Sequence, residues 1–156
     1  MSSSVDPGAP DELTPLVQAE LRRLAERRPA TGPAELVHEA YLNLVGDATV
    51  ARLGRARFLT VAARGVRRLL VEHARAADGN AGVTVGSEDI DVLALDEALG
   101  RLEEIDPPQA RIVELRYFGG LTIEQAADTV SASPDVVARE WTVARAWLRR
   151  ELAPEG

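Results

Sequence analysis

Four arginines, Arg57, Arg64, Arg68 and Arg75, recur at spacings of 7, 4 and 7, with Arg67 beside them. At about 100° per residue the four fall within about 40° of one another on a helix. Such a stripe can track a phosphate backbone. The competing reading is a solvated arginine face whose partners are glutamates of a neighbouring helix. A second constellation is Leu121 to Trp141, LTIEQAADTVSASPDVVAREW. It holds a short capped helix, a polar turn (Ser131-Ala132-Ser133) and a longer second helix. That is the layout of a helix-turn-helix, whose second helix lies in the DNA major groove. Catalytic patterns are missing. The two histidines are His38 and His73, and Val37-His-Glu-Ala-Tyr-Leu42 lacks the second histidine of an HExxH zinc site. There is no glycine-rich phosphate loop and no serine or cysteine in a nucleophile context. The chain is read as a binding protein without enzymatic activity, cofactor or metal.

The second helix of the helix-turn-helix is chemically lean. Its leading outward positions are Asp135, Val136, Ala138 and Arg139, whereas direct base readout favours Arg, Lys, Asn or Gln. Asp135 at a helix start suits the helix dipole. Arg145, Arg149 and Arg150 read either as phosphate contacts or as solvated charges at the helix end.

All 18 basic residues are arginine, against 25 acids, for a net charge of −7 over 156 residues. The charge is uneven. Residues 1–77 hold 11 Arg and 9 acids, residues 78–92 hold 4 acids and no base, and residues 93–156 hold 7 Arg and 12 acids. Two modules joined by an acidic tether are the expectation. No run of 18 apolar residues exists, so no transmembrane span is expected. Without cysteine there is no disulfide or thiolate zinc site. No secretory signal stands at the N-terminus, and a soluble cytoplasmic protein is expected.

Apolar periodicity predicts an all-helical chain. A disordered tail over residues 1–11 precedes a helix from Leu13 with Arg22, Arg23, Arg27 and Arg28 at its end. A second helix carries Val37, Ala40, Tyr41 and Leu44 on its apolar side, and a short helical turn falls within 47–54. A long third helix from about Arg57 to Ala76 has Phe58, Ala62, Val66, Leu69 and His73 as its expected core face. Asp78–Asp91 reads as a flexible linker in which Val83-Thr84-Val85 is too short for a strand. Val92, Leu95, Leu99 and Leu102 mark the next helix, and another spans Pro108–Phe118. Thr122 and Ser133 open the last two, the former through a capping box, the latter as N-cap with Pro134 at N1. Ile123, Val130 and Val137 would share a core, and Trp141 and Trp147 would pack the last helix.

Read in order, Glu35-Leu-Val-His-Glu-Ala-Tyr-Leu42, the Phe58–Ala76 helix ending Arg-Arg-Leu-Leu-Val-Glu-His-Ala-Arg, Leu95-Asp-Glu-Ala-Leu, and Gln109-Ala-Arg-Ile-Val-Glu-Leu-Arg-Tyr-Phe-Gly-Gly-Leu-Thr122 leading to Glu124 and Trp141 resemble the bacterial extracytoplasmic-function (ECF) sigma factors. The likeness is greatest to the ECF-like subgroup with helix-turn-helix annotation, and it covers about Asp11 to Leu152.

The resemblance implies two small helical domains, a region 2-like one over 12–77 and a region 4-like one over 92–152, with a linker over 78–91 and a tail over 153–156. It implies core RNA polymerase and promoter DNA as partners, no membrane, and room for an anti-sigma factor. Glu35, His38, Glu39 and Asn43 would face the polymerase clamp helices, and the second domain would hold the flap. Arg57, Arg64, Arg67, Arg68 and Arg75 would carry promoter DNA near the melted element, and Ser133 and Arg139 would contact the upstream element. The departures fall on the DNA side. The family's recognition helix usually starts Ser-Pro-Arg-Thr-Val-Lys-Arg, against Ser133-Pro-Asp-Val-Val-Ala-Arg139 here, and Ser131 replaces the turn glycine. The alternative is therefore a degenerate sigma-like regulator that binds polymerase or a partner protein but reads DNA weakly. An ordinary helix-turn-helix repressor would leave the arginine helix unexplained.

Overall fold

The computed structural model describes residues 12–27, 32–76, 82–85 and 88–153. Among them eight helices form the architecture: α1 (Leu13–Arg27), α2 (Pro33–Leu44), α3 (Ala48–Leu53), α4 (Arg55–Ala76), α5 (Val92–Ile105), α6 (Pro107–Tyr117), α7 (Ile123–Val130) and α8 (Pro134–Leu152). The fold is all-α in its architecture, as expected. The expected tail over residues 1–11 and the terminal residues 154–156 lie outside the described residues.

One finding departs from the linker reading. Gly82–Val85 (β1) and Glu88–Asp91 (β2) pair antiparallel, with Gly82 opposite Asp91 and Val85 opposite Glu88. Asp91 then ends the hairpin and opens α5, its side chain accepting hydrogen bonds from the Leu93 and Ala94 amides.

Local chemistry explains the helix boundaries. Asp47 caps α3 by accepting from the Thr49 amide, and Asp106 caps α6 by accepting from the Gln109 amide. Pro33, Pro107 and Pro134 sit in first turns, where a missing N–H costs nothing.

The N-terminal half is built on α4, against which α1, α2 and α3 pack. Gly65 lets α1 approach closely, since a Cβ there would stand 2.8 Å from Leu21 and 2.9 Å from Gln18. Phe58 is fully buried and meets Tyr41 edge-on, with centroids 5.2 Å apart. In the C-terminal half, Leu95, Leu99, Val113, Leu115, Phe118, Val137 and Leu148 form the interior. Trp141 and Trp147 half-bury against it, Trp141 tilted on Tyr117 at 5.4 Å.

The buried face of α4 is wider than, and turned from, the expected stripe. Phe58, Ala62 and Val66 are buried as read, but Leu69 is only half-buried and His73 is exposed. In their place Leu59, Ala63, Arg67, Val71 and Ala74 are buried. The reason is tertiary: α4 also packs against α5, α6 and α7. The two halves consequently share one continuous hydrophobic core.

Candidate nucleic-acid interface

Three surfaces carry the residues singled out in the sequence. The first is the outer side of α2. Leu36, Val37 and Ala40 face inward, which leaves Glu35, His38 and Asn43 exposed and Glu39 half-exposed. Asn43 Nδ2 donates to Glu20 of α1 at 2.7 Å. Glu20 also pairs with Arg23, and that hydrogen bond, with Asn43 adding to it, holds the Glu20 carboxyl below its ordinary pKa against its partial burial. Leu42 and Val45, 57% and 46% exposed, extend this surface with apolar area.

The second surface is the arginine helix, and the structure divides its residues into two groups. Arg57, Arg68 and Arg75 are exposed along one side of α4. Arg64, which is exposed as well, and the buried Arg67 engage the C-terminal half. Arg64 Nε donates to Glu114 Oε2 at 2.7 Å. Arg67 donates from Nη1 to the same Glu114 oxygen at 2.8 Å and to Glu103 at 3.0 Å, from Nε to Asp96 Oδ1 at 2.7 Å, and from Nη2 to the Asp96 carbonyl at 3.2 Å. Arg67 is only 9% exposed and Glu114 only 4%. Burial opposes the charge on Arg67, but the hydrogen bonds it donates to Glu114, Asp96 and Glu103 outweigh it and hold the guanidinium above its ordinary pKa. Arg64 and Arg67 thus have carboxylate partners on neighbouring helices, and Arg57, Arg68 and Arg75 lie exposed on α4.

The competing reading expects glutamates of a neighbouring helix as partners but does not single out Asp96, Glu103 and Glu114. Glu114 carried a signal: it lies in the α6 stretch Ile112-Val-Glu-Leu115, all four of which are buried. A lone acid inside such a run needs a cationic partner.

The third surface is the helix-turn-helix, and its local chemistry matches the reading closely. Thr122 and Gln125 form the reciprocal capping box of α7, and Ser133 caps α8 by accepting from the Val136 amide. Ala126 and Ala127 are buried where α8 packs on α7. Val137 is fully buried between them, with Ile123 and Val130 half-buried beside it. Ser131 ends α7 at φ 60° and ψ 46°, left-handed, and it is the one non-glycine residue with positive φ among the described residues. Replacing it with glycine is expected to stabilise the protein by about 1 kcal/mol, since only the L side chain opposes that conformation. The check is a thermal midpoint roughly 2–4 °C higher.

The turn is braced from inside. Arg116 donates to the Leu121 carbonyl at 2.7 Å and lies over the Trp141 ring at 4.8 Å. Burial, with Arg145 nearby, lowers its pKa from the ordinary value. Asp135, Val136, Ala138 and Arg139 are exposed on the outward start of α8, Arg145 is half-buried, and Arg149 and Arg150 are exposed. Ser133 spends its hydroxyl oxygen on the cap, so it serves the helix start as well as the surface.

No group of three or more metal-ligand side chains occurs among the described residues, and no described helix is long and apolar enough to cross a membrane. The family model for the ECF sigma factor matches residues 2–154. No curated protein and no solved structure matches the chain. A match spanning nearly the whole chain, on a helical protein with a capped helix-turn-helix and an arginine-bearing helix, shows that it belongs to the ECF sigma factors, which bind RNA polymerase and promoter DNA in transcription initiation.

Proposed function

We propose that the chain is an alternative sigma factor that directs core RNA polymerase to a restricted set of promoters in the cytoplasm, acting by binding alone. In this reading residues 12–77 form the region 2-like domain and residues 92–152 the region 4-like domain. Glu35, His38, Glu39 and Asn43 of α2 meet the clamp helices, and the region 4-like domain rests on the flap. Arg57, Arg68 and Arg75 line promoter DNA, and Ser133 and Arg139 approach the upstream element.

The observation that supports this best is the placement of exposed Arg57, Arg68 and Arg75 along α4, on the same helical half as the exposed polar side of α2. A net charge of −7 weakens unaided DNA binding. Tethering through polymerase raises the effective concentration of both domains on DNA, so tight binding by the free chain is not needed.

The test is binding of the purified protein to core RNA polymerase against a primary sigma factor as competitor. Mutually exclusive binding is the expected result. A folded helical protein that shows no binding would overturn the initiation-factor reading and leave a sigma-derived regulator with another partner.

A further inference from the structure

The outward side of α8 holds two large apolar side chains in solvent. Val136 is 40% exposed and Val143 57% exposed. They stand seven positions apart, with exposed Arg139 between them. At about 100° per residue the three fall within about 60° of one another. The inner side of α8 is already filled by Val137, Ala144 and Leu148, which complete the interior where α8 packs on α6 and α7. Valine is also a poorer helix former than alanine. Neither packing nor helix propensity therefore accounts for Val136 and Val143.

We propose that Val136 and Val143 read thymine: their methyl groups meet the C5-methyl groups of two thymines that flank a base contacted by Arg139. The inference rests on the reading of α8 as the helix that enters the major groove at the upstream element. Three observations support it. Thymine is the base that presents a methyl group in the major groove, and apolar side chains contact it there. The surroundings of the valines suit DNA, since exposed Arg139, Arg149 and Arg150 share the outer side of α8 with Asp135, while Glu151 is turned to Arg101 of α5. The spacing also fits, because seven helical residues rise about 10 Å, close to three base steps of about 3.4 Å. The shortage of hydrogen-bond donors on this helix thus becomes a preference for thymine.

The experiment uses the full chain on core polymerase with duplex pools randomised over the upstream segment. One pool contains thymine and the other deoxyuracil in its place, which differs only by the missing methyl. The holoenzyme is expected to enrich thymine at two positions about three base steps apart in the first pool and to lose that preference in the second. On an enriched duplex, uracil for thymine at either position should weaken binding about fourfold, the worth of one buried methyl. Val136→Ala and Val143→Ala should each abolish the penalty at one of the two positions and leave the other intact. Both side chains are exposed and alanine favours the helix, so circular dichroism and the thermal midpoint should stay at or above those of the parent. A general weakening of α8 would not give this matched, position-by-position loss.

Equal binding of thymine and uracil duplexes overturns the proposal, as does a penalty that survives in the doubly substituted protein. So does a parent chain that dimerises in sedimentation while the double variant stays monomeric with its DNA selection unchanged, since the valines would then serve a second copy. Polymerase binding without enrichment of any sequence also overturns the proposal and spares the sigma reading. If the chain does not bind polymerase, the same pools are offered to it alone at low salt. A penalty for the missing methyl there keeps the thymine contact and removes the sigma reading, and the absence of one removes both.

Discussion

Arg67→Gln is expected to lower the thermal midpoint by roughly 6–12 °C, while Arg68→Gln leaves it nearly unchanged and abolishes promoter opening. The two residues are neighbours in sequence and opposite in circumstance. Arg67 is 9% exposed and donates to three carboxylates, whereas Arg68 is exposed. Removing one member of a buried ion pair strands the other, at a cost of about 3–5 kcal/mol. Here the lower figure applies, because Arg64 still reaches Glu114. For a chain of this length about 3 kcal/mol corresponds to the stated shift in midpoint. Exposed Arg68 falls within the roughly ±0.5 kcal/mol of ordinary surface substitutions. Scanning calorimetry of the two variants, with polymerase binding and promoter opening measured on each, separates the roles. Equal midpoint shifts would contradict the division of the stripe.

The second large effect concerns the outward start of α8. Asp135→Arg with Ala138→Lys is expected to raise promoter affinity by on the order of tenfold at low salt. It should also steepen the dependence of log affinity on log salt by about 1.8, at about 0.9 for each added phosphate contact. Both positions are exposed and flank Arg139 on the helix that the turn presents. Losing Asp135 from the first turn of α8 costs about 0.5 kcal/mol of favourable dipole interaction, small beside the gain in phosphate attraction. Fluorescence anisotropy on a promoter duplex across a salt series gives the slope directly. The counterpart is Arg139→Ala, which is expected to relax upstream-element preference in the holoenzyme footprint. An unchanged footprint would favour the degenerate-regulator reading.

The sequence revealed the helix-turn-helix almost residue by residue because its determinants are local. Thr122 with Gln125, Ser133 with Pro134, and the small pair Ala126-Ala127 each act within one turn of where they stand. The arginine helix was legible as a helix and only partly legible as a surface. Periodicity places residues around an axis, but it cannot say what covers each side. Arg67 is buried by Glu114, 47 positions away, and Ala63 is covered by Gly119. No pattern within α4 contains that information, and the same packing left His73 outside the core it was expected to join. The hairpin escaped because two four-residue strands are too short to leave a firm alternation. The α2 residues were singled out through the family motif alone, since an exposed Glu, His or Asn on a helix has no periodicity of its own.

That hairpin also sets how far the two ends of the joining segment can stand apart. Antiparallel pairing puts Gly82 directly across from Asp91, a Cα separation of about 5 Å. The same ten positions drawn straight would cover about 30 Å. The fold thus keeps most of this length reeled in beside α5, held by a two-stranded ladder of marginal strength. Paying it out lengthens the leash between α4 and α5 without unfolding a single helical turn. Parting of β1 and β2 therefore sets how much of that reach is released, and shortening the segment between α4 and α5 would limit it while leaving both helical halves intact.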